Sequence, residues 1–228
     1  MTQAYPNAPF PGNVASNRVP FYHDPDMSTK RRGLLIVLEG IDGSGKTTQA
    51  RALLRRLRRR GRKAAFFREP TRGRWGREIK RLAARADSLA PEGELKLFVK
   101  DRRENVEKNL KPALAAGKVV VLDRYYFSTI AYQGAKGIGM GRIRRMNEAF
   151  AIPPDLVIIL DVEAAAGLAR IGHRRTRDEL FEREDYLVRV AHVFRGFEGP
   201  RFVHVDGRGD PRAIGKAIWA EVAPLLSK

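Results

Sequence analysis

A glycine-rich run, EGIDGSGKTT, occupies positions 39–48 and directly follows an apolar stretch. The run lies between a predicted strand and a predicted helix, and it satisfies the pattern G-x-x-x-x-G-K-[ST] through Gly40, Gly45, Lys46 and Thr47. In such a loop the backbone N–H groups converge on a phosphate, and the positive end of the following helix adds its field. The pattern predicts a nucleoside triphosphate site in which Lys46 bridges the β- and γ-phosphates and the Thr47 hydroxyl binds Mg²⁺.

A second candidate group follows another apolar run, 118–122, which leads into Asp123-Arg124-Tyr125. An acidic residue at a strand end can hold a metal ion, usually through water, and an adjacent arginine can reach a phosphoryl group in transfer. A structural salt bridge would put the same residue types at a strand end. The triplet alone leaves both interpretations open.

Short apolar runs, separated by amphipathic ones, are the elements that must position these residues. Strands are predicted at 34–38, 63–67, 118–122, 156–161 and 201–205, with helices between them, the first beginning near Lys46. Short continuous apolar strands separated by helices favour an α/β fold with a parallel sheet covered on both faces. Right-handed crossovers then put the carboxyl end of every strand on one edge, where ligands bind.

The predicted domain organisation is one folded unit with an N-terminal tail. Residues 1–32 carry five prolines and no sustained periodicity, which predicts a flexible tail, and residues 33–228 suffice for one domain. The absence of cysteine excludes a disulfide framework and a thiolate metal site. No apolar run approaches the roughly 18 residues of a membrane span, and the first residues do not resemble a secretory signal. We therefore expect a cytoplasmic protein that has no contact with a membrane.

The charge balance is strongly positive, with 44 Lys and Arg against 26 Asp and Glu. Such a surplus favours encounter with polyanions or anionic nucleotides without choosing between them. The run RRLRRR at 55–60 belongs to a predicted helix whose apolar positions repeat at three and four, so most of these arginines should face water. A nucleic-acid partner is not expected, although the net charge leaves it open.

Several segments together resemble the thymidylate kinases, which transfer the γ-phosphoryl group of ATP to dTMP. The similar segments are EGIDGSGKTTQ at 39–49, REP at 68–70, LKLFVKDRRENV at 95–106, DRYYFSTIAYQGA at 123–135 and PDLVIILDV at 154–162. The pattern DRYxxSxxAYQG is the most specific of these, because shikimate, guanylate and adenylate kinases lack it. The resemblance implies a five-stranded parallel sheet in the order 2-3-1-4-5, a helical lid over ATP, Mg²⁺ as cofactor and a homodimer.

The resemblance also implies roles for residues of an acceptor site. Asp42 matches the residue that accepts a hydrogen bond from the 3′-hydroxyl of the acceptor sugar. Phe98 matches an aromatic that stacks on thymine, and Arg102 an arginine that reaches a thymine carbonyl; their spacing of four puts both on one helix face. From the residues alone, with Leu95 and Leu97 as neighbours, Phe98 would be assigned to the core instead.

Two further acceptor residues are implied by the AYQ segment. Tyr132 matches a ring that lies against the sugar and excludes a 2′-hydroxyl, which favours deoxynucleotides. Gln133 carries both a donor and an acceptor, the complement of the N3–H and carbonyl edge of thymine. The alternative for Gln133 is a glutamine that faces solvent ahead of a glycine turn.

The loop after the second strand departs from the family pattern. Many members read REPGGT, whereas this chain has REPTRG at 68–73, and the loss of two adjacent glycines changes the backbone options. Other members place an arginine two residues after the proline to hold the acceptor phosphate, and the resemblance gives Arg72 this role. The departure leaves open a kinase of the same fold for another deoxynucleoside monophosphate.

The lid is expected at about residues 170–182. Some members carry an arginine within the phosphate loop and others supply it from the lid; the segment IDGS of this chain has none. The resemblance therefore implies that lid arginines meet the transferring group, with Arg174 and Arg177 as catalytic candidates and Arg170 on the ATP side. Such a charge run also occurs on solvated faces, and the choice stays open among Arg170, Arg174, Arg175 and Arg177.

The candidate site residues form overlapping sets: those that bind the acceptor, given above, those that bind ATP, and those that take part in transfer. Nucleotide-binding candidates are Gly40, Asp42, Gly43, Ser44, Gly45, Lys46, Thr47, Thr48 and Arg170. Candidates for transfer are Lys46, Asp123, Arg124, Arg174 and Arg177, with Thr47 and Asp123 on the metal and Arg124 with Arg72 on the acceptor phosphate.

A rival from another class is a basic P-loop ATPase that binds nucleic acid. The charge surplus supports this rival, but a nucleic-acid binder has no need of the nucleoside pocket that the AYQG segment implies.

Overall fold

Five parallel strands form a sheet in the order β2-β3-β1-β4-β5. The computed structural model describes residues 33–83, 90–171 and 177–227, and the side chains of residues 177–182 are not described. The strands are β1 (Leu34–Glu39), β2 (Ala64–Arg68), β3 (Val119–Asp123), β4 (Leu156–Asp161) and β5 (Phe202–Asp206). The predicted fold class and strand order are confirmed, whereas the predicted tail at 1–32 and residues 172–176 of the predicted lid lie outside the described residues.

Helices connect successive strands and cover both faces of the sheet. Their bounds are α1 (Lys46–Arg59), α2 (Arg74–Ala83), α3 (Pro91–Asn105), α4 (Lys111–Ala115), α5 (Tyr126–Gly134), α6 (Met140–Glu148), α7 (Ala164–Ile171), α8 (Arg177–Arg195) and α9 (Pro211–Val222). A π-helical turn (Val106–Leu110) joins α3 to α4, and a 3₁₀ turn (Ala223–Leu226) follows α9. Among the described helices, none is both long and apolar enough to cross a membrane.

The continuous apolar strands have two buried faces. In β1, Leu35 and Val37 belong to one core cluster, and Ile36 and Leu38 to the other. Successive side chains of a strand point to opposite faces, so a strand that is buried on both must be apolar throughout. The first cluster includes residues of α3, α5, α6 and α8, and the second includes residues of α1 and α9.

Four strands end one residue later than predicted, on a charged residue. The strand β1 ends at Glu39, β2 at Arg68, β3 at Asp123 and β5 at Asp206. Backbone pairing extends them, because Arg68 stands opposite Asp123 and Asp161 opposite Asp206 in the parallel register. Backbone hydrogen bonds form regardless of side-chain hydropathy. The apolar runs therefore predicted strand ends that were one residue too early, at the edge of the sheet where the candidate site lies.

A histidine on β5 joins two neighbouring segments near that edge. His204 Nδ1 lies 2.9 Å from Asp161 Oδ2, and Nε2 lies 3.0 Å from the carbonyl oxygen of Phe197. The hydrogen bond to Asp161 is the largest cause that raises the pKa of His204 above its usual 6.5, while burial opposes it. The folded protein therefore binds this proton more tightly than the unfolded chain does.

We expect the His204→Gln substitution to destabilise the fold in a pH-dependent way. The charged pair stabilises fully below pH 6.5 and loses its effect as the pH rises through the raised pKa of the folded state. The loss of unfolding free energy should be larger at pH 5.5 than at pH 8.5, by about 0.5 kcal/mol for a partly exposed pair. Urea unfolding at both pH values measures it, and an equal loss at both would contradict the assignment.

Candidate active site

The phosphate loop (residues 40–46) leaves β1 and enters α1 with a backbone that requires glycine. Gly43 has φ +77°, and a Cβ placed there would lie 2.0 Å from the carbonyl oxygen of Gly167. Gly45, with φ 91°, precedes α1 and supplies no side-chain cap to it. The first N–H groups of a helix have no partner within it, so this N-terminus is free to hydrogen-bond an anion.

The Lys46 side chain folds back over the phosphate loop. Its exposed fraction is 5%, and Nζ donates to the carbonyl oxygen of Ile41 at 2.5 Å and to Ser44 Oγ at 3.1 Å. Burial lowers the pKa of Lys46 to about 7, and the nearby charge of Arg124 acts in the same direction. Phosphate oxygens in the loop would oppose both effects, because a negative charge favours the protonated amine.

Thr47 and Asp123 meet where β3 ends beside the loop. Thr47 Oγ1 donates to Asp123 Oδ2 at 2.6 Å, and Arg68 Nε lies 3.6 Å from the same oxygen. Asp123 is fully buried, and among the described residues its Oδ1 has no hydrogen-bond partner. A hydroxyl and a carboxylate with an unused oxygen are the hard donors that Mg²⁺ prefers. The residues present therefore fit a magnesium ion, and the salt bridge considered from the sequence is present as well.

Arg124 turns back from β3 toward the phosphate loop. Its φ of +72° is the one positive value at a non-glycine position within the described ranges. Its Nη2 donates to Asp42 Oδ1 at 2.6 Å, and its Nη1 to Ser128 Oγ at 2.9 Å. Burial alone would raise the pKa of Asp42, but Arg124 and Lys46 outweigh it and hold that pKa below its usual value. Arg124 and Asp42 are thus held as an ion pair beside the loop.

A cavity of about 300 Å³ opens next to this ion pair. Helices α2, α3, α5 and α8 all contribute to its wall, which is mainly apolar. The residues predicted to contact the acceptor that line it are Asp42, Phe98, Arg102, Arg124, Tyr132 and Gln133. Phe98 therefore lies at the cavity, so the interpretation as ordinary core does not describe its position. These six residues come from three segments of the sequence, at 42, 98–102 and 124–133, and they meet around one cavity.

Arg102 is held rigidly at the cavity wall. Its exposed fraction is 1%. Each nitrogen of its guanidinium donates to a different side chain: Glu69 Oε2 at 2.8 Å, Asn147 Oδ1 at 2.5 Å and Thr129 Oγ1 at 2.9 Å. These three bonds use three of five N–H groups, which leaves two for a ligand in the cavity.

The AYQ segment of α5 faces the cavity from the other side. The Tyr132 hydroxyl accepts from the Asp42 N–H at 3.0 Å, and burial raises its pKa to about 12. Gln133 is only 2% exposed, so the solvent-facing alternative was wrong. Its Nε2 donates to Glu94 at 3.0 Å, which also accepts from Lys136, while its Oε1 has no partner in the described part of the chain.

The predicted site residues Arg72, Arg170 and Thr48 do not line the cavity. Arg72 is exposed and does not line the cavity; its carbonyl oxygen accepts from Arg77 at 2.9 Å. Arg170 donates to the carbonyl oxygens of Gly207 at 3.0 Å and of Gly43 at 3.4 Å, so it lies behind the phosphate loop. Thr48 is exposed in the first turn of α1.

The lid candidates can be placed only in part. Arg174 lies outside the described residues. Arg177 is the first residue of α8, and its side chain is not described.

The sequence analysis missed several residues at the site. Among them are Glu39, Glu69, Ser128, Thr129 and Tyr186. The helical spacing of α5 could have identified Ser128 and Thr129, since residues three and four apart share a face with Tyr132 and Gln133. No pattern marks Tyr186, whose hydroxyl donates to the carbonyl oxygen of Tyr132 at 2.8 Å from 54 positions away.

Comparisons with known proteins agree with the geometry. The family model for thymidylate kinase matches residues 38–218. A thymidylate kinase of Akkermansia muciniphila is 46% identical over 189 residues, which cover 83% of this chain and 91% of the relative. A thymidylate kinase of Xanthomonas campestris pv. campestris (strain B100) is 40% identical over 195 residues, which cover 86% and 85%.

We expect the Glu69→Ala substitution to lower the unfolding free energy by about 3 kcal/mol or more, because it leaves the buried Arg102 charge without its carboxylate. The matched control is Glu107→Ala, which breaks an ion pair with Lys111 whose side chains are 53% and 51% exposed. An exposed pair contributes about 0–1 kcal/mol. Urea unfolding of both variants measures the difference, and equal losses would contradict the structural role of Glu69.

Proposed function

Since the chain belongs to the thymidylate kinase family, we propose that it transfers the γ-phosphoryl group of ATP to dTMP, giving dTDP and ADP. The observation that carries this proposal is the cavity beside the phosphate loop, whose wall combines an aromatic ring, fixed polar groups and an arginine next to Lys46. A phosphate loop alone would support any nucleoside triphosphate. The adjoining cavity, with a volume of about 300 Å³, provides room for the acceptor nucleotide.

On the donor side, the phosphate loop and the start of α1 hold the phosphates of ATP. The backbone N–H groups of the loop bind the β-phosphate, and Lys46 leaves its loop acceptors to bridge the β- and γ-phosphates. Thr47 and Asp123 would hold Mg²⁺, which neutralises the phosphate charge when it is bound. Arg170, which now donates to the carbonyl oxygens of Gly43 and Gly207, completes the wall of the ATP site.

On the acceptor side, fixed polar groups form hydrogen bonds with the base, and an aromatic ring stacks on it. Phe98 stacks on the thymine ring, and Arg102 donates one of its remaining N–H groups to a carbonyl of the base. The unpartnered Gln133 Oε1 accepts from an N–H of the base. A buried acceptor left without a partner carries a desolvation penalty, so a base that donates to it is favoured.

The sugar and phosphate of dTMP lie between the base and the phosphate loop. Asp42 accepts from the 3′-hydroxyl, and the Tyr132 ring restricts the space beside the 2′ carbon. Arg124 holds the acceptor phosphate, and Arg72, which is exposed without a ligand, moves toward it on binding. A monophosphate is largely a dianion near neutral pH, so the reaction needs no general base.

Transfer depends on positioning and on positive charge around the transferring group. Lys46 and Arg124 supply charge from the two sides of the site. The segment at about 170–182 acts as a lid whose arginines, Arg174 and Arg177, add charge from above and exclude water. This division into a lid, a domain at 33–228 and a tail at 1–32 is part of the proposal, as is a homodimer in the cytoplasm.

Transfer to dTMP can be tested against the alternative of another acceptor in one assay. ADP release with ATP is followed for dTMP, dUMP, dCMP, dAMP and dGMP at equal concentration. We expect dTMP to give the highest kcat/KM. A higher value for another monophosphate would overturn the substrate assignment, and no release with any of them would overturn the kinase assignment.

We expect Lys46→Ala to remove most turnover while the fold stays intact. Loss of one charge on the transferring phosphates costs about 3 kcal/mol, which is a fall in kcat of about 100-fold or more. Arg51→Ala, an exposed position on the same helix, is the control and should keep the wild-type rate. Near wild-type turnover of Lys46→Ala would contradict its role.

For the lid, Arg174→Ala and Arg177→Ala should each lower kcat more than they weaken dTMP binding, because the charge acts on the transferring group rather than on the acceptor. Arg195→Ala, at the exposed end of α8, serves as the control. Steady-state kinetics and dTMP titration separate the two effects. If both lid variants keep the wild-type kcat, another residue supplies the charge.

A further inference from the structure

A buried carboxylate that the proposed reaction does not use lies between the two halves of the site. Glu39 is the last residue of β1 and is fully buried. Its Oε1 accepts from the N–H groups of Tyr125 at 2.7 Å and of Ser128 at 3.2 Å, and its Oε2 from Ser128 Oγ at 2.5 Å. All three donors belong to the junction of β3 and α5, 86 to 89 positions away.

These bonds make Glu39 the N-terminal cap of α5. Tyr125 is the N-cap residue of this helix, and no side chain of the helix itself caps it. The first N–H groups of a helix lack intrahelical partners and favour a negative charge. Glu39 accepts from the N–H of the N-cap residue, and it shares the N–H of Ser128, the third helical residue, with the carbonyl oxygen of Tyr125 at 3.2 Å.

The position of α5 determines where the acceptor residues lie. Thr129, Tyr132 and Gln133 project from this helix into the cavity. Arg124 immediately precedes its N-cap with φ +72°, a conformation that is strained for an arginine. The surrounding structure must hold this backbone, and the Arg124 N–H bond to the carbonyl oxygen of Leu38 at 3.0 Å is one restraint.

Ser128 extends the contact from Glu39 to the Arg124 side chain. Its hydroxyl donates to Glu39 and accepts from Arg124 Nη1 at 2.9 Å. Gly40, the residue after Glu39, begins the phosphate loop. The side chain of Glu39 therefore contacts α5, while its backbone leads directly into the phosphate loop. Burial raises the pKa of Glu39 to about 7. The hydrogen bonds from Ser128 and Tyr125 and the charge of Arg124 lower this pKa and so oppose the effect of burial.

We propose that Glu39 is a positioning residue that fixes the start of α5, and with it Arg124, against the phosphate loop for phosphoryl transfer. The proposal rests on the proposed function, because it concerns the alignment of the two substrates. Glu39 acts through Ser128 and Arg124 and contacts neither substrate. Its loss should therefore affect the rate of transfer more than the binding of ATP.

The test compares Glu39→Gln with a matched control, Asp155→Asn. Asp155 Oδ2 accepts from the Leu35 N–H at 2.6 Å, so it makes a comparable carboxylate bond at the opposite end of β1, away from the site. Unfolding free energy, kcat and the KM of each substrate are measured for both variants. We expect both to lose stability, Glu39→Gln to lose about 10-fold or more in kcat with an ATP KM within 3-fold, and Asp155→Asn to keep its kcat.

A double-mutant cycle with Ser128→Ala distinguishes positioning from a general loss of order. If Glu39 acts through Ser128, Glu39→Gln should lower kcat much less in the Ser128→Ala background than in the wild type. Additive effects, or a Glu39→Gln kcat equal to that of Asp155→Asn, would overturn the inference. Absence of dTMP phosphorylation by the wild-type protein would instead overturn the proposed function, so the two failures are distinguishable.

Discussion

The side-by-side pairing of β1 with β3 is the constraint on which the site depends. The parallel register puts Leu38 opposite Asp123, and neighbouring strands are about 4.8 Å apart. The phosphate loop that leaves β1 therefore lies beside the turn that leaves β3. The hydrogen bond from Arg124 to Leu38 continues the pairing one residue beyond β3. A strand inserted between β1 and β3 would separate the phosphate loop from Arg124 and Asp123.

Charged side chains of alternating sign fill the space that this pairing creates. Glu39 and Lys46 are buried and would be costly to bury alone, and Arg124, with 13% of its side chain exposed, pairs with the more exposed Asp42. Arg124 contacts Asp42 directly and reaches Glu39 through Ser128. These contacts hold Arg124 in a fixed position beside the loop, which is what electrostatic stabilisation of a phosphoryl group requires. The lowered pKa values of both Lys46 and Asp42 follow from the same arrangement, because burial and the charge of Arg124 lower the first, and the charges of Arg124 and Lys46 lower the second against the effect of burial.

The acceptor cavity shows the same principle with neutral and charged groups. Arg102 donates to side chains from three separate segments, and two N–H groups remain for a base. Gln133 is oriented by Glu94, which binds its amide nitrogen and leaves the oxygen unpartnered among the described residues. A side chain fixed in this way needs no reordering when a nucleotide binds, and rigid polar groups reject bases with the wrong donor pattern. The wall therefore presents fixed polar groups as well as apolar surface.

The sequence by itself determined the phosphate loop, the strands and the role of Asp123 as a candidate metal ligand, because each depends on residues that are close together in the chain. The resemblance to a family supplied the strand order and the residues of the acceptor site. Only the tertiary structure decided which groups hold those residues. Glu69, Thr129 and Asn147 are 33, 27 and 45 positions from Arg102, and Glu39 is 86 from Tyr125. Contacts at such separations are set by how strands pair and helices pack, and no local spacing or periodicity encodes them.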